Sequence, residues 1–444
     1  MNRHFPLKVL LILVFLFTGL YAEEKPISLE TCVEIALEQN PDLLRSEFQV
    51  KIAGKDVTLA FANFLPQVSS ELSYIHTVIG PSSVTRIDPQ YGIQVPIQPN
   101  EEVNWNSNVR VTASQPLFTG GYNVFNYLQK RSLKKSAEYS FEDTRQTTIY
   151  VVKERYYNLL AAEKLLEVAR ETAKSSEESF KRAEVLFAVG TVPKSDVLKA
   201  KVQLETDRLG LIEAQNNLAI ARASLNHILG YDVDHDIQIV DNLEVPEIEV
   251  GYDDAMLNAM SDHPALLKST CDVRASRANI GMAASQYLPS VTALYSYNWQ
   301  HQKLNEIKNI FDRDYNWYLG VSLRYPIFQG FSRVANLSKA QLDYKSNQEA
   351  LEQVKRDVAL AVQTAYFQME QAKKQILVSQ NAVDAADEDL RLNKEKYNLG
   401  SGTILDLIDA QVSYTSAKSD HIQALYNYKK AIAKLQQAMG KLNK

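Results

Sequence analysis

The sequence predicts a mixed α+β fold that is mainly helical, laid out as an internal duplication of one unit: helix, strand hairpin, long helix, returning helix. Three observations carry this prediction. The chain matches itself at two fixed separations. Two stretches of seventy residues, Gly120 to Val189 and Gly330 to Leu399, run without proline and keep a helical hydrophobic period. Four shorter segments alternate apolar and polar residues with a period of two.

The self-match sets the organisation. Asn40-Pro41 pairs with His263-Pro264, and Leu65-Pro66 with Leu288-Pro289, both 223 residues apart. From Pro116-Leu117-Phe118 against Pro326-Ile327-Phe328 the separation becomes 210 and stays there: Gly120 with Gly330, Tyr156 with Tyr366, Gly190 with Gly400, Asp196 with Asp406, Gly230 with Gly440. The difference of 13 (223 minus 210) falls between Pro66 and Pro116, so the first copy has a longer loop there. Repeat one is expected over residues 28–230 and repeat two over 252–440. Residues 231–251 are acidic and β-branched, contain Pro246 and lack a helical period. They are expected to link the copies near the middle of the helices.

At the start of the 444-residue chain, a basic opening (Arg3, Lys8), an apolar run from Val9 to Phe17 and small residues up to Ala22 read as a secretory signal peptide, residues 1–22. The run falls short of the roughly 20 apolar residues of a spanning helix. The mature chain is expected to be 23–444, without a cysteine at its start to carry a lipid. Formal net charge is -5, or -7 once Arg3 and Lys8 are removed, and this mild acidity argues against a nucleic-acid partner. Cys32 and Cys271 could in principle pair in an oxidising compartment. Each lies in an apolar helical pattern, and a small buried hydrophobe is the preferred reading. Seven scattered histidines and no Cys-His spacing leave a cofactor, metal or catalytic site without support.

The helical stretches 41–64 and 264–287 are each stopped by a Leu-Pro pair. Beyond them the period changes. Val68, Leu72, Tyr74 and Val78 alternate with Gln67, Ser69, Glu71, Ser73 and Thr77; Val103, Trp105, Val109 and Val111 alternate with Asn104, Asn106, Asn108 and Arg110. In the second copy Val291, Ala293, Tyr295, Tyr297 and Trp299 oppose Thr292, Ser296, Asn298 and Gln300, while Tyr315, Trp317, Leu319, Val321 and Leu323 oppose Asn316, Gly320, Ser322 and Arg324. A soluble sheet with one buried face shows the same alternation. Here the polar set is rich in amides and hydroxyls, as in a water-filled interior, and the apolar face carries Tyr and Trp as interfacial girdles do. The connection from Ile79 to Asn100 holds four prolines and suits an exposed outer loop.

Each seventy-residue stretch would reach roughly 105 Å as one helix. In the second copy Leu351, Val354, Val358, Ala361, Ala365, Met369, Ala372, Ile376, Ser379, Val383, Ala386 and Leu390 form a face at coiled-coil spacing, and alanine allows close approach. Val151, Leu159, Ala162, Leu166, Ala169 and Ala173 belong to the matching face of the first copy. The helices are expected to turn at Gly190 and Gly400 and return to Gly230 and Gly440. Four amphipathic strands cannot close a membrane barrel, because every backbone group in lipid must be paired and single-chain barrels need at least about eight strands. Three chains would supply twelve strands, with twelve long helices forming a tube, and three-fold symmetry closes the ring.

This layout resembles the outer-membrane efflux proteins typified by TolC. The resemblance covers almost all of the mature chain. It rests on the duplication, on Leu65-Pro66 and Leu288-Pro289 before the hairpins, on Pro116-Leu117-Phe118-Thr119-Gly120-Gly121 with Pro326-Ile327-Phe328-Gln329-Gly330, and on the segments Gly190 to Ala200 and Gly400 to Ala410. It implies a homotrimer whose twelve-stranded barrel sits in outer-membrane lipid of a Gram-negative bacterium and continues into a periplasmic helical tunnel. It further implies docking to a periplasmic adaptor (a membrane fusion protein) and an inner-membrane transporter, in efflux or type I secretion of drugs, metals or proteins. The channel would be passive and not an enzyme. At the tip, Asp406 and Asp409 match family carboxylates that ring the periplasmic gate, and Tyr397 and Asp196 match a pair that hydrogen-bonds between hairpins. Gly402 stands where relatives carry an arginine. The turns Gly190, Thr191, Val192 and Gly400, Ser401, Gly402 are the expected adaptor contacts. The blander reading is that Asp196, Asp406 and Asp409 cap helix starts. The rival for the whole chain is a soluble periplasmic coiled-coil scaffold or adaptor.

Overall fold

A computed structural model describes residues 26–80, 84–97, 102–241 and 250–442. The expected signal peptide and residues 242–249 of the expected linker lie outside them. In chain order the elements are α1 (Leu29–Gln39), α2 (Pro41–Ala62), β1 (Gln67–Ile79), β2 (Val84–Ile87), β3 (Gln94–Ile97), β4 (Glu102–Thr119), α3 (Tyr122–Ala188), α4 (Lys194–Leu229), α5 (Tyr252–Asp262), α6 (Pro264–Ser285), β5 (Ser290–His301), β6 (Tyr315–Arg324), α7 (Ser332–Asn398) and α8 (Ile404–Ala438). The copies agree closely in length: α3 and α7 have 67 residues each, α2 and α6 have 22, and α1 and α5 have 11.

Two features were not legible in the periodicity. The helices α1 and α5 precede the expected ones and end where Pro41 and Pro264 begin the next. Asn40 makes the first break workable, because its Oδ1 accepts from the amides of Asp42 (3.0 Å) and Leu43 (3.2 Å) and so caps α2. The second feature is the β2–β3 hairpin inside the connection expected to be a plain loop. Asp88 Oδ1 accepts from Gln90 N at 2.7 Å, an Asx turn that reverses the chain before Gly92.

The chain divides into two compact units. The first comprises the described parts of residues 1–46, 141–264 and 356–444. Its core gathers α1, the middle of α3, the end of α4 and α8 around Cys32, Ile149, Tyr156, Leu159, Leu225 and Tyr426. Residue Ile27 pairs with Ile239 in a parallel bridge, and the Tyr156 hydroxyl donates to Val240 O at 2.5 Å, so the start of the inter-repeat segment is seated near the middle of α3. Tyr366, the repeat mate of Tyr156, packs edge-on to Tyr252 of α5, 5.5 Å between centroids. Along α7 the expected face is buried at Val358, Ala365, Met369 and Ala372, but Ala361 is exposed and Val362 takes its place. Cys32 is buried and unpaired, and burial pushes its thiol up to about 12.

The second unit comprises residues 47–140 and 265–355 as described. It holds a four-stranded antiparallel sheet in the order β1-β4-β5-β6. The register repeats with the sequence. Leu72 pairs with Val109 in the first hairpin and Tyr295 with Leu319 in the second, which are the same pairing carried over by 223 and 210 residues. Strand β4 enters α3 through Gly120, whose φ of 63° favours glycine. A Cβ there would also stand 2.5 Å from the Ser285 carbonyl oxygen. Cys271 is buried and unpaired in α6.

Candidate functional site

Two places in the chain carry chemistry that the rest of the fold only supports: the faces of the sheet and the tips of the two long helical hairpins. On the sheet, Val68, Leu72, Tyr74, Trp105, Trp317, Leu319, Val321 and Leu323 stand exposed on one side. Tyr74 stacks on Trp105 at 4.9 Å and Trp105 on His76 at 4.0 Å, giving that face an aromatic row. Tyr297 and Trp299, expected on the open apolar face, are buried instead. The Tyr297 hydroxyl donates to Ile310 O and its ring packs against Phe311, so the β5–β6 connection folds back onto it.

The opposite face is a hydrogen-bonded polar surface. Ser69 Oγ and Thr112 Oγ1 lie 2.8 Å apart across β1 and β4. One row crosses all four strands: Glu71, Arg110, Asn298 and Asn316 face one another in register. Arg110 Nε donates to Asn298 Oδ1 at 2.9 Å, and Asn298 Nδ2 donates to Asn316 Oδ1 at 3.2 Å. The alternation of each strand was readable in the sequence, but the row was not, because it depends on register between strands distant in the chain.

At the first tip, α3 ends in a Schellman motif: Gly190 N donates to Phe187 O and Thr191 N to Leu186 O, both at 2.9 Å, with Gly190 at φ 76°. Helix α4 then starts behind Pro193 without a side-chain cap. At the second tip Gly400 adopts φ 74° and Ser401 N donates to Lys396 O at 3.0 Å. Gly402 is closely packed: a Cβ there would lie 3.0 Å from Lys396 Cβ, so a larger residue would require the Lys396 turn to give way. Helix α8 begins with a capping box: Thr403 Oγ1 accepts from Asp406 N at 3.2 Å, and Asp406 Oδ2 accepts from Thr403 N at 3.1 Å. The Thr403 hydroxyl and amide hold the Asp406 carboxyl below the ordinary aspartate range, with Lys396 adding to the effect. Asp409 is exposed one turn on.

Between the tips lies a small apolar core of Ala183, Ala200, Ile404 and Leu407, closed by Tyr397, which is 5% exposed. Its hydroxyl is buried without a hydrogen-bond partner. Burial, and then the charge of Asp196, push the phenol upward. The structure therefore brings Tyr397 and Asp196 into each other's electrostatic reach, but within one chain it forms no bond between them. Among the described residues no cluster of His, Cys, Asp and Glu is suited to a metal ion, and no helix is long and apolar enough to cross a membrane.

Comparison with known proteins matches this geometry. The sequence profile of the outer membrane efflux proteins fits residues 32–231 and 256–441. The outer membrane protein TolC of Vibrio cholerae is 23% identical over 456 residues, which spans 100% of this chain and 96% of that protein. The cation efflux system protein CusC of Escherichia coli is 22% identical over 412 residues, 89% of this chain and 83% of its own. The crystal structure of the CmeC outer membrane channel of Campylobacter jejuni superposes with a TM-score of 0.82 at 19% identity, covering 93% of this chain and 86% of that one.

Proposed function

Since the chain belongs to the outer membrane efflux protein family, we propose that it is the passive outer-membrane duct of a pump complex, assembled from three copies through the sheet and helix edges that a single copy leaves open. The observation that carries the reading is a mismatch between equivalent positions. The β4–β5 junction joins repeat one to repeat two inside the chain, while the matching outer edges of β6 and β1 have no strand paired to them among the described residues. In lipid each unpaired backbone group costs several kcal/mol, so those edges need each other. The helices repeat the asymmetry. Phe48 and Ile52 of α2 are 54% exposed, whereas their repeat mates in α6, Cys271 and Ala275, are 3% and 4% exposed.

The repeat fixes what the pairing between chains should be. Inside the chain Val111 faces Tyr297. Adding 210 and subtracting 223 turns this into Val321 of one chain against Tyr74 of the next, and both lie on the apolar face. A Val321→Cys, Tyr74→Cys double variant should link outer-membrane copies into a covalent trimer under mild oxidation, with either single variant remaining monomeric on a denaturing gel. A double variant that stays monomeric in the outer membrane rejects this closure.

The tips complete the reading. Asp409, with Asp406 beside it, would present carboxylates to the axis of the trimer and form a cation-attracting gate. Tyr397 and Asp196 would latch the hairpins that carry it. The turns Gly190, Thr191, Val192 and Gly400, Ser401, Gly402 would receive a periplasmic adaptor bound to an inner-membrane transporter, in efflux or type I secretion. Photo-crosslinking amino acids at Thr191 and Ser401 should capture that adaptor in cells, and capture of no envelope protein from either site sinks the docking assignment. Asp409→Ala should weaken block of single-channel current by divalent cations, and unchanged block removes the gate role.

A further inference from the structure

We propose that the groove between α3 and α4 beside Gly230 receives helix α7 of a second copy, with Leu360 seated in the groove, Arg356 on the Gly230 carbonyl and Asp357 beside His227. The proposal rests on the trimeric reading and supplies the helical half of its contact between chains. Within one chain, α3 grips the end of α8 at three points. Gln146 Nε2 donates to Gly440 O at 2.8 Å, Gln437 Nε2 donates to Thr147 Oγ1 at 3.2 Å, and Lys434 Nζ lies 4.6 Å from the centre of the Tyr150 ring. Moving each residue by 210 exchanges the repeats. The gripping residues become Arg356, Asp357 and Leu360 of α7, and the gripped ones become Gly230, His227 and Ser224 at the end of α4.

Both transposed surfaces stand open in one chain. Leu360 is 63% exposed, and Arg356, Asp357, His227 and Gly230 are exposed as well. A groove of about 540 Å³ runs between Val151 and Arg155 of α3 and Ile220, Ser224 and His227 of α4. The repeat mates of Ile220, Ser224 and His227 are Lys430, Lys434 and Gln437, and each of these is held by a contact with α3. The groove is therefore the place where the matching grip is missing. Its chemistry suits the residues that would arrive. A guanidinium takes the place of the Gln146 amide as donor to a carbonyl at a helix C-terminus, where a cation is favoured. Asp357 meets a groove lined by Arg155 and His227. Leu360 covers Ile220, which is 57% exposed. Two amide hydrogen bonds of the internal joint thus become charged contacts in the external one.

Paired cysteines test the position in full-length protein in the outer membrane. A short bis-maleimide should join Asp357→Cys to His227→Cys between copies and give a covalent trimer on a denaturing gel, while neither single variant is joined. No trimer from this pair, when Val321→Cys with Tyr74→Cys does form one, would overturn the helical contact and leave the closed sheet standing. No trimer from either pair would remove the three-copy reading, and this contact with it. Charge tests the same joint in purified trimer, and the residues involved are exposed in the single chain, so the variants keep its core. At low salt Asp357→Lys should move the trimer-to-monomer equilibrium about tenfold toward monomer, because three contacts change together. Adding His227→Glu should restore most of that loss, and the loss should shrink near 1 M salt, where the screening length is about 3 Å. Arg356→Gln, which copies the internal joint, should keep the trimer, and Arg356→Glu should weaken it. A loss that His227→Glu leaves unreduced would separate Asp357 from His227 and overturn the assignment.

Discussion

The two copies of the repeat share a backbone and differ in what their equivalent residues touch. Gly120 and Gly330 both sit at positive φ, 63° and 59°, at the same point of the strand-to-helix turn. Around Gly120 the Ser285 carbonyl closes in, while around Gly330 a Cβ would meet nothing within 4 Å. Phe125 of the first copy fills the space left by Gly281 of the second. Their repeat mates, Ala335 and Thr58, exchange large for small. At the tips the second copy begins its returning helix with a capping box and the first with a bare Pro193. Where one copy meets the other inside the chain, side chains are fitted to each other. Where the same surface is left open, the fit is absent, and the surface keeps the form a neighbouring chain would need.

Substitutions at paired positions can break that contrast. The largest effect belongs to Gly120→Ala, which combines the strained φ with a backbone clash and should cost about 3 kcal/mol or more in thermal or denaturant unfolding. Gly330→Ala should cost only the left-handed conformation, about 1–2 kcal/mol. Equal losses at the two sites would show that the packing difference carries no energy. Next comes Gly281→Ala, whose methyl must displace the Phe125 ring and should cost about 1–3 kcal/mol, against about 0.5 kcal/mol or less for Thr58→Ala.

Smaller effects separate the tips. Thr403→Ala removes the cap of α8 and should lower the local stability of the second tip by about 1 kcal/mol, measured by amide hydrogen exchange around Leu407. Pro193→Ala removes no cap bond and should leave the first tip nearly unchanged. The smallest effect is that of pH. The Asp406 carboxyl titrates below its ordinary range in the folded chain, so its support for the cap is fully present above the unfolded value near 4. It fades as pH falls through the lower folded value. Acid should therefore loosen the second tip before the first, and simultaneous loosening would contradict the capping account.

Much of this was legible in the sequence because duplication and alternation are one-dimensional signals. The offsets of 223 and 210 foretell which strands correspond, and the two hairpins keep identical registers. What escaped depends on contacts between distant residues. Asp88 hides a hairpin among prolines, and the β5–β6 connection returns to cover Tyr297. On α7 the buried positions Val358, Val362, Ala365, Met369 and Ala372 alternate four and three residues apart, so Val362 belongs to the face and Ala361 does not. Asp406 was readable both as a gate residue and as a cap. Its bonds to Thr403 establish the second role without touching the first. The Tyr397 hydroxyl offered no sequence clue that it would be left without a partner inside one chain.

The bridge between Ile27 and Ile239 has a consequence for biogenesis. A chain exported from its N-terminus delivers Ile27 early, yet the partner that fixes it arrives more than two hundred residues later. Closing so long a loop is slow, and until it closes the early helices expose apolar surface that invites aggregation. The seating of this first segment should thus be among the last steps of maturation.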